Sequence, residues 1–289
     1  MRTAIIPLAA HVELFNPSGR APILILCDHA GREVPPTLER LGLSDEALAQ
    51  HIGWDIGAAD VTRHLARLLD APALLNNISR LVIDPNRRPG TPTSIPPISD
   101  GWVVPGNEAL PMAAVVDRVV RYFLPYHRAI AHRIGAFRRA GTVPVVIAVH
   151  SFTPRMNGED RPWQIGVLWG GDQRLARPAL TTLEARSDLL IGDNQPYSGL
   201  RDFGFTVQFH AQRTRLPHVM FEIRQDEIAS TAAAVRYAEI VHEALRAPLA
   251  EPGLYTLYEG LNLDRGSGLI SWRHAVGSSP LGTTVPSTV

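Results

Sequence analysis

Apolar positions along this chain fall into short unbroken runs that stop at polar or turn-forming groups, separated by longer amphipathic stretches. The most regular run covers residues 143–149 and stops at His150, followed by Ser151, Phe152, Thr153 and Pro154. An apolar run without alternation predicts a strand buried on both faces, as in a mostly parallel sheet covered by helices. Ligands of such sheets bind beyond the carboxyl ends of the strands, so His150 stands where chemistry is expected. Residues 22–27 repeat the design and stop at Asp28-His29-Ala30-Gly31. Parallel neighbours of this kind place His29 and His150 on one edge of the sheet.

Further strands are predicted over 73–75, 79–84, 165–169, 188–191 and 217–224, the last with Glu222 embedded among apolar residues. Helical spacing appears over 45–50, where Ser44 suits the N-cap. It recurs after residue 57, where Ala58, Val61, Leu65 and Leu68 share one face and Asp55 falls in the first turn. A longer stripe runs Met112, Val115, Val119, Phe123, Tyr126, Ile130, Ile134, with Pro125 as an expected kink. Residues 175–185 and 228–246 complete the set. Strands interleaved with helices predict an α/β fold, a three-layer α/β/α sandwich around a mostly parallel mixed sheet. One domain is expected over 1–289, with its core at about 22–247 and an irregular tail at 248–289. The Pro-, Gly- and Ser-rich stretch 89–111 is too long for an ordinary connection and is expected to be an ordered loop over the site.

Composition narrows the partners. The 28 basic and 28 acidic side chains cancel, which argues against nucleic acid or an anionic membrane surface and favours a small polar substrate. Cys27 is the single cysteine, so no intrachain disulfide framework exists, as expected of a reducing compartment, and Cys27 reads as a small core hydrophobe. No apolar run reaches the roughly 20 residues of a membrane span. A cytoplasmic protein is expected.

The predicted strand ends collect His29, Asp84 with Asn86 and Arg87, His150, Asn194 and Glu222. Any one of these has an ordinary structural explanation, such as a loop hydrogen bond or, for Asp55, a helix cap. Together, two imidazoles and a carboxylate form a catalytic zinc set, and a nearby glutamate can carry the proton. A carboxylate inside an apolar strand costs several kcal/mol unless it is paired or neutral, so Glu222 needs a cation, either Arg224 or a group at a metal. Arginine and asparagine suit a substrate carboxylate. The His-Glu-x-x-His helix, the serine nucleophile elbow and the phosphate loop are absent.

Six strings carry a resemblance: Cys27-Asp-His-Ala-Gly31, Trp54-Asp-Ile-Gly-Ala58, Ser79-Arg-Leu-Val-Ile-Asp-Pro-Asn-Arg87, Val149-His-Ser-Phe152, Gly192-Asp-Asn-Gln-Pro-Tyr-Ser-Gly199 and Glu222-Ile-Arg-Gln-Asp226. In this order they resemble the N-formylglutamate amidohydrolases and, more distantly, the zinc carboxypeptidase and aspartoacylase superfamily. The resemblance implies Zn2+ held by His29 and His150, Asn86 and Arg87 at the substrate carboxylate, and Glu222 as general base. Where the wider superfamily has a ligating glutamate this chain has Arg32, with Glu33 displaced by one, so Asp55 is the expected third ligand. Asn194, Tyr197 and Arg224 are expected to contact substrate, and Asp84 and His210 to support the ligands from behind. The expected activity is hydrolysis of an N-formyl or other short N-acyl amino acid, with N-formylglutamate the default. The alternatives are a non-catalytic carboxylate binder on the same fold, or a hydrolase of another N-acyl amino acid or dipeptide.

Overall fold

The computed structural model describes residues 8–156, 158–201 and 204–260. Seven strands form its central sheet: β1 (Val12–Phe15), β2 (Ile23–Cys27), β3 (Ala73–Asn76), β4 (Val145–Phe152), β5 (Ile165–Leu168), β6 (Ile191–Asp193) and β7 (His218–Arg224). Their spatial order is β1-β3-β2-β4-β7-β5-β6. Antiparallel pairing is confined to β1 with β3 and β7 with β5; every other neighbour pair is parallel. The sheet is therefore mixed and mostly parallel.

The pleat sorts the central strands between two cores. Ile23, Ile25 and Cys27 of β2, Val145, Ile147 and Val149 of β4, and Val219, Phe221 and Ile223 of β7 face one side. They pack there against α2 (Ala58–Leu68), α5 (Ala176–Glu184) and α6 (Thr231–Leu249). Leu24, Leu26, Val146, Ala148 and Met220 face the other side, against Tyr126, Ile130 and Ile134 of α4 (Leu124–Arg139). Parity alone then directs Asp28, His150 and Glu222 toward the α4 side, because side chains two apart along a strand share a face.

The first turn of α1 (Asp45–Ala49) is capped as expected, with Ala47 N donating to Ser44 Oγ at 3.2 Å. The helix expected from residue 228 starts at Thr231, where Ser230 accepts from Ala233 N. The long apolar stripe is a continuous helical run, α3 (Met112–Arg118) and α4 joined by a π turn over Val119–Phe123. Leu124 N donates to Val119 O, five residues back, so the wide turn falls just where Pro125 lacks an N–H.

Residues 79–84 form turns rather than the expected strand. Leu81, Val82 and Ile83 are buried in a satellite core with Leu41, Leu48, Ile52, Val104 and Phe123, so their apolar run reflects burial without sheet pairing. Residues 89–111 are ordered beside this core. Asn107 donates to Leu81 O and Pro96 O, and buried Arg118 donates to Val82 O, Gly106 O and Asn107 Oδ1. None of 89–111 lines the cavity described below, so the loop braces the site's neighbour instead of covering the site. The expected tail is described only to residue 260; 261–289 lie outside the described residues.

Candidate active site

Three side chains meet at the carboxyl ends of β2 and β4. Asp55 Oδ2 lies 2.8 Å from His150 Nδ1 and 3.3 Å from His29 Nδ1. All three are buried, and they form a group able to hold a metal ion. Local backbone structure places Asp55. Its N–H donates to His29 O at 3.0 Å, Arg80 N and Ser79 Oγ both donate to Gly53 O, and Ser151 Oγ donates to Ile56 O. Gly57 then caps α2 at φ 81°, with the Ile228 backbone so close that a Cβ has no room. Asp55 thus precedes α2 and does not sit in its first turn.

Each imidazole lies between two carboxylates. His29 Nε2 is 2.8 Å from Asp84 Oδ1, and His150 Nε2 is 3.2 Å from Asp28 Oδ2. Asp28 is fully buried and accepts from Tyr126 OH at 2.9 Å. Burial, helped by the nearby Arg80 charge, pushes His29 down to about 4. Burial also opposes a charge on His150, but Asp28 outweighs it and raises that pKa. Asp84 and Asp28 are themselves held low against burial, Asp84 chiefly by His29 and Asp28 chiefly by His150.

A neutral His29 has one N–H for two acceptors, so one of its nitrogens presents a lone pair to a carboxylate. That contact is repulsive without a cation between the atoms. Asp28, Asp55 and Asp84 bring three carboxylates to the two imidazoles, and Arg80 donates from Nη2 to Asp55 Oδ1. Carboxylates behind metal-bound imidazoles are the usual means of fixing their orientation.

Glu222 sits on β7 opposite His150 in the register and is 6 % exposed. Burial raises its pKa, and its Oε2 has no hydrogen-bond partner. Gly166 of β5 faces it across the next strand pair. A Cβ at Gly166 would overlap Gln195 O, so the absent side chain lets the 194–197 loop close on the sheet.

The cavity has a volume of about 580 Å³ and is lined by His29, Asp55, His150 and Glu222 together with Asn86, Arg87, Asn194 and Tyr197. Asn86 Oδ1 accepts from Thr206 N and Asn194 Oδ1 from Trp169 N and Gly199 N, so both amides have only NH2 donors left for a ligand. Tyr197 OH accepts from Arg161 Nη1 at 3.0 Å. Acceptor-rich ligands suit such a lining.

One expected contact is placed elsewhere. Arg224 does not line the cavity, because Asp226, Glu227 and Pro162 O take up its guanidinium. His210, expected behind the ligands, bonds His127 and neither His29 nor His150. Glu33, the alternative third ligand, is exposed. The sequence reading gave no role to Asp28, His51 or Arg80. His51 lines the cavity, is held neutral by burial and by Arg80, and its Nδ1 makes no hydrogen bond, with Asp55 Oδ1 4.0 Å away. The Asp28-His29 and Ser79-Arg80 strings were visible, but spacing does not assign Asp28 its partners Tyr126 and His150 or Arg80 its partner Asp55.

Fold and site define the class: an α/β protein with a His/Asp group that could hold a metal ion, in a polar cleft at the carboxyl ends of its central strands. Comparison with known families then specifies it. The chain belongs to the N-formylglutamate amidohydrolase family, whose model matches residues 21–229. A crystal structure of a gene product from Agrobacterium tumefaciens is 34 % identical, covering 83 % of this chain and 94 % of its own, with a TM-score of 0.78. N-formylglutamate amidohydrolase from Ralstonia eutropha JMP134 shares the fold at 20 % identity and a TM-score of 0.51, covering 81 % of this chain and 99 % of its own. No curated protein matches the chain. Among the described residues no helix is long and apolar enough to cross a membrane.

Proposed function

We propose that this chain is a zinc-dependent amidohydrolase that removes a formyl or other short acyl group from an N-acyl amino acid, with N-formylglutamate the default substrate. The observation that carries the reading is the crowding of three buried carboxylates, Asp28, Asp55 and Asp84, on the paired imidazoles, beside a buried Glu222 whose pKa is raised. His29, His150 and Asp55 would hold the metal. Bound there, zinc supplies Lewis-acid polarisation of the amide carbonyl and lowers the pKa of water.

The chain's own residues do the rest. Glu222 takes the proton of the attacking water and delivers it to the leaving nitrogen as the C–N bond breaks, giving formate and the free amino acid. Its raised pKa suits a group that must both accept and release a proton near neutrality. Asn86 Nδ2 and Arg87 grip a substrate carboxylate, and Asn194 Nδ2 and Tyr197 border the rest of the cleft. Arg80 holds Asp55 from the side away from the imidazoles.

The test is metal analysis of the purified protein followed by a panel of N-acyl amino acids. One divalent transition metal per chain, with N-formylglutamate hydrolysis that falls at least about 100-fold in Glu222→Gln, is expected. No bound metal together with an unaffected Glu222→Gln variant would falsify the reading. A metal-bearing protein that cleaves only larger conjugates would shift the substrate and leave the chemistry.

A further inference from the structure

Behind the site, His127 of α4 and His210 of the π turn Gln208–Gln212 are both buried. His127 Nδ1 lies 2.9 Å from His210 Nε2, with the ring planes 9° apart, and His127 Nε2 lies 3.0 Å from Pro85 O. A carbonyl oxygen only accepts, so His127 Nε2 carries a proton. With His127 neutral its Nδ1 is then bare and accepts, which requires His210 to carry its proton on Nε2 and donate. Chemistry thus fixes the polarity of the whole chain: His210 to His127 to Pro85.

Pro85 separates two residues of the site. Asp84 Oδ1 accepts from Asn86 N at 2.7 Å and meets His29 Nε2. Asn86 returns to the same support, because its O accepts from Phe205 N and its Oδ1 from Thr206 N. Proline has no N–H, so Pro85 itself is gripped through its carbonyl, while Asp84 N donates to Ser94 O. His127 and Thr206 are the donors on the Pro85 carbonyl.

We propose that His127 and His210 are positioning residues, a proton-ordered pair that fixes the Pro85 carbonyl and thereby the angle of Asp84 on His29 and of Asn86 into the cleft. The kinetic part of this inference rests on the hydrolase reading; the tautomer order does not. Neither imidazole touches substrate or the proposed metal ligands. An apolar pair of similar volume would fill the same space, so the polar pair is there for direction.

Long-range 1H–15N spectra of the metal-free protein test the order directly, and both residues are expected as neutral Nε2–H tautomers. His127→Phe keeps the ring volume but loses both bonds. It is expected to raise KM for the cleaved N-acyl amino acid and to weaken zinc binding, each about tenfold, as loss of outer support does at metal sites. His127→Gln can donate to Pro85 O and accept from His210, and should return both quantities to within about threefold of the parent. The proposal is overturned by an Nδ1–H tautomer at His127, or by a folded His127→Phe protein with parental KM and zinc affinity. It is also overturned if Gln and Phe variants are equally impaired at equal melting temperature. A parent protein that binds no zinc and cleaves no substrate overturns the hydrolase reading instead, and the spectra then decide this one.

Discussion

Replacing Tyr126 by Phe isolates what holds the site from beneath. The hydroxyl donates to Asp28 Oδ1 at 2.9 Å, and Asp28 in turn faces His150 Nε2. Both Tyr126 and Asp28 are fully buried, so no water replaces the lost donor. A hydrogen bond to a charged group contributes about 1.5–3 kcal/mol, and leaving the acceptor unsatisfied brings the cost to the upper part of that range. At this chain length each kcal/mol moves the melting temperature by about 2–4 °C, so a fall of roughly 4–12 °C is expected in the metal-free protein. Asp28 would also orient His150 less tightly, and the zinc dissociation constant should rise about tenfold. Urea unfolding of the metal-free variant and competition with a chromogenic chelator measure the two effects separately. KM should stay near the parent value, because Asn86 and Arg87 are untouched. A variant within about 0.5 kcal/mol of the parent, with unchanged zinc affinity, refutes the argument that Asp28 depends on this donor.

Three other perturbations probe different parts of the molecule. Gly166→Ala drives a methyl group into the Gln195 carbonyl; it should cost about 1–3 kcal/mol and raise KM with zinc affinity unchanged, and a normal KM would contradict the placement of the 194–197 loop. His127 is pushed down to about 4 by burial, against about 6.5 in an unfolded chain. The unfolded chain therefore binds the proton first as pH falls. Stability is complete above about pH 6.5 and lost toward pH 4, by roughly 3 kcal/mol from this group. His127→Gln should flatten urea midpoints over that window, and an unchanged slope would place the acid sensitivity elsewhere. Removing metal with a chelator should lower the melting temperature of the parent but not of Asp55→Asn; zinc present at about 1,000 times its dissociation constant is worth about 4 kcal/mol.

How much of this could be read from sequence follows from where the information lies. Buried parallel strands announce themselves, because runs such as residues 145–149 leave no alternation to interpret. Once those strands are accepted, the pleat puts Asp28, His150 and Glu222 on one face, and parallel pairing of β2 with β4 brings His29 beside His150, their ring centroids 5.1 Å apart. The same reasoning overreached at 79–84, since Leu81, Val82 and Ile83 satisfy burial in a satellite core that has no strand in it. It missed β1, four residues whose Glu13 pairs with Arg63, fifty positions away. Arg224 seemed close to the chemistry by its distance from Glu222 in sequence. Asp226 and Glu227, two and three residues on, already offered it local partners, a cheaper arrangement than reaching into a cleft. What stayed hidden was the second side of His150. A carboxylate behind His29 was expected in Asp84, but Asp28 reaches His150 from the end of the neighbouring strand and Tyr126 reaches Asp28 from α4, and only the packed layers make them neighbours.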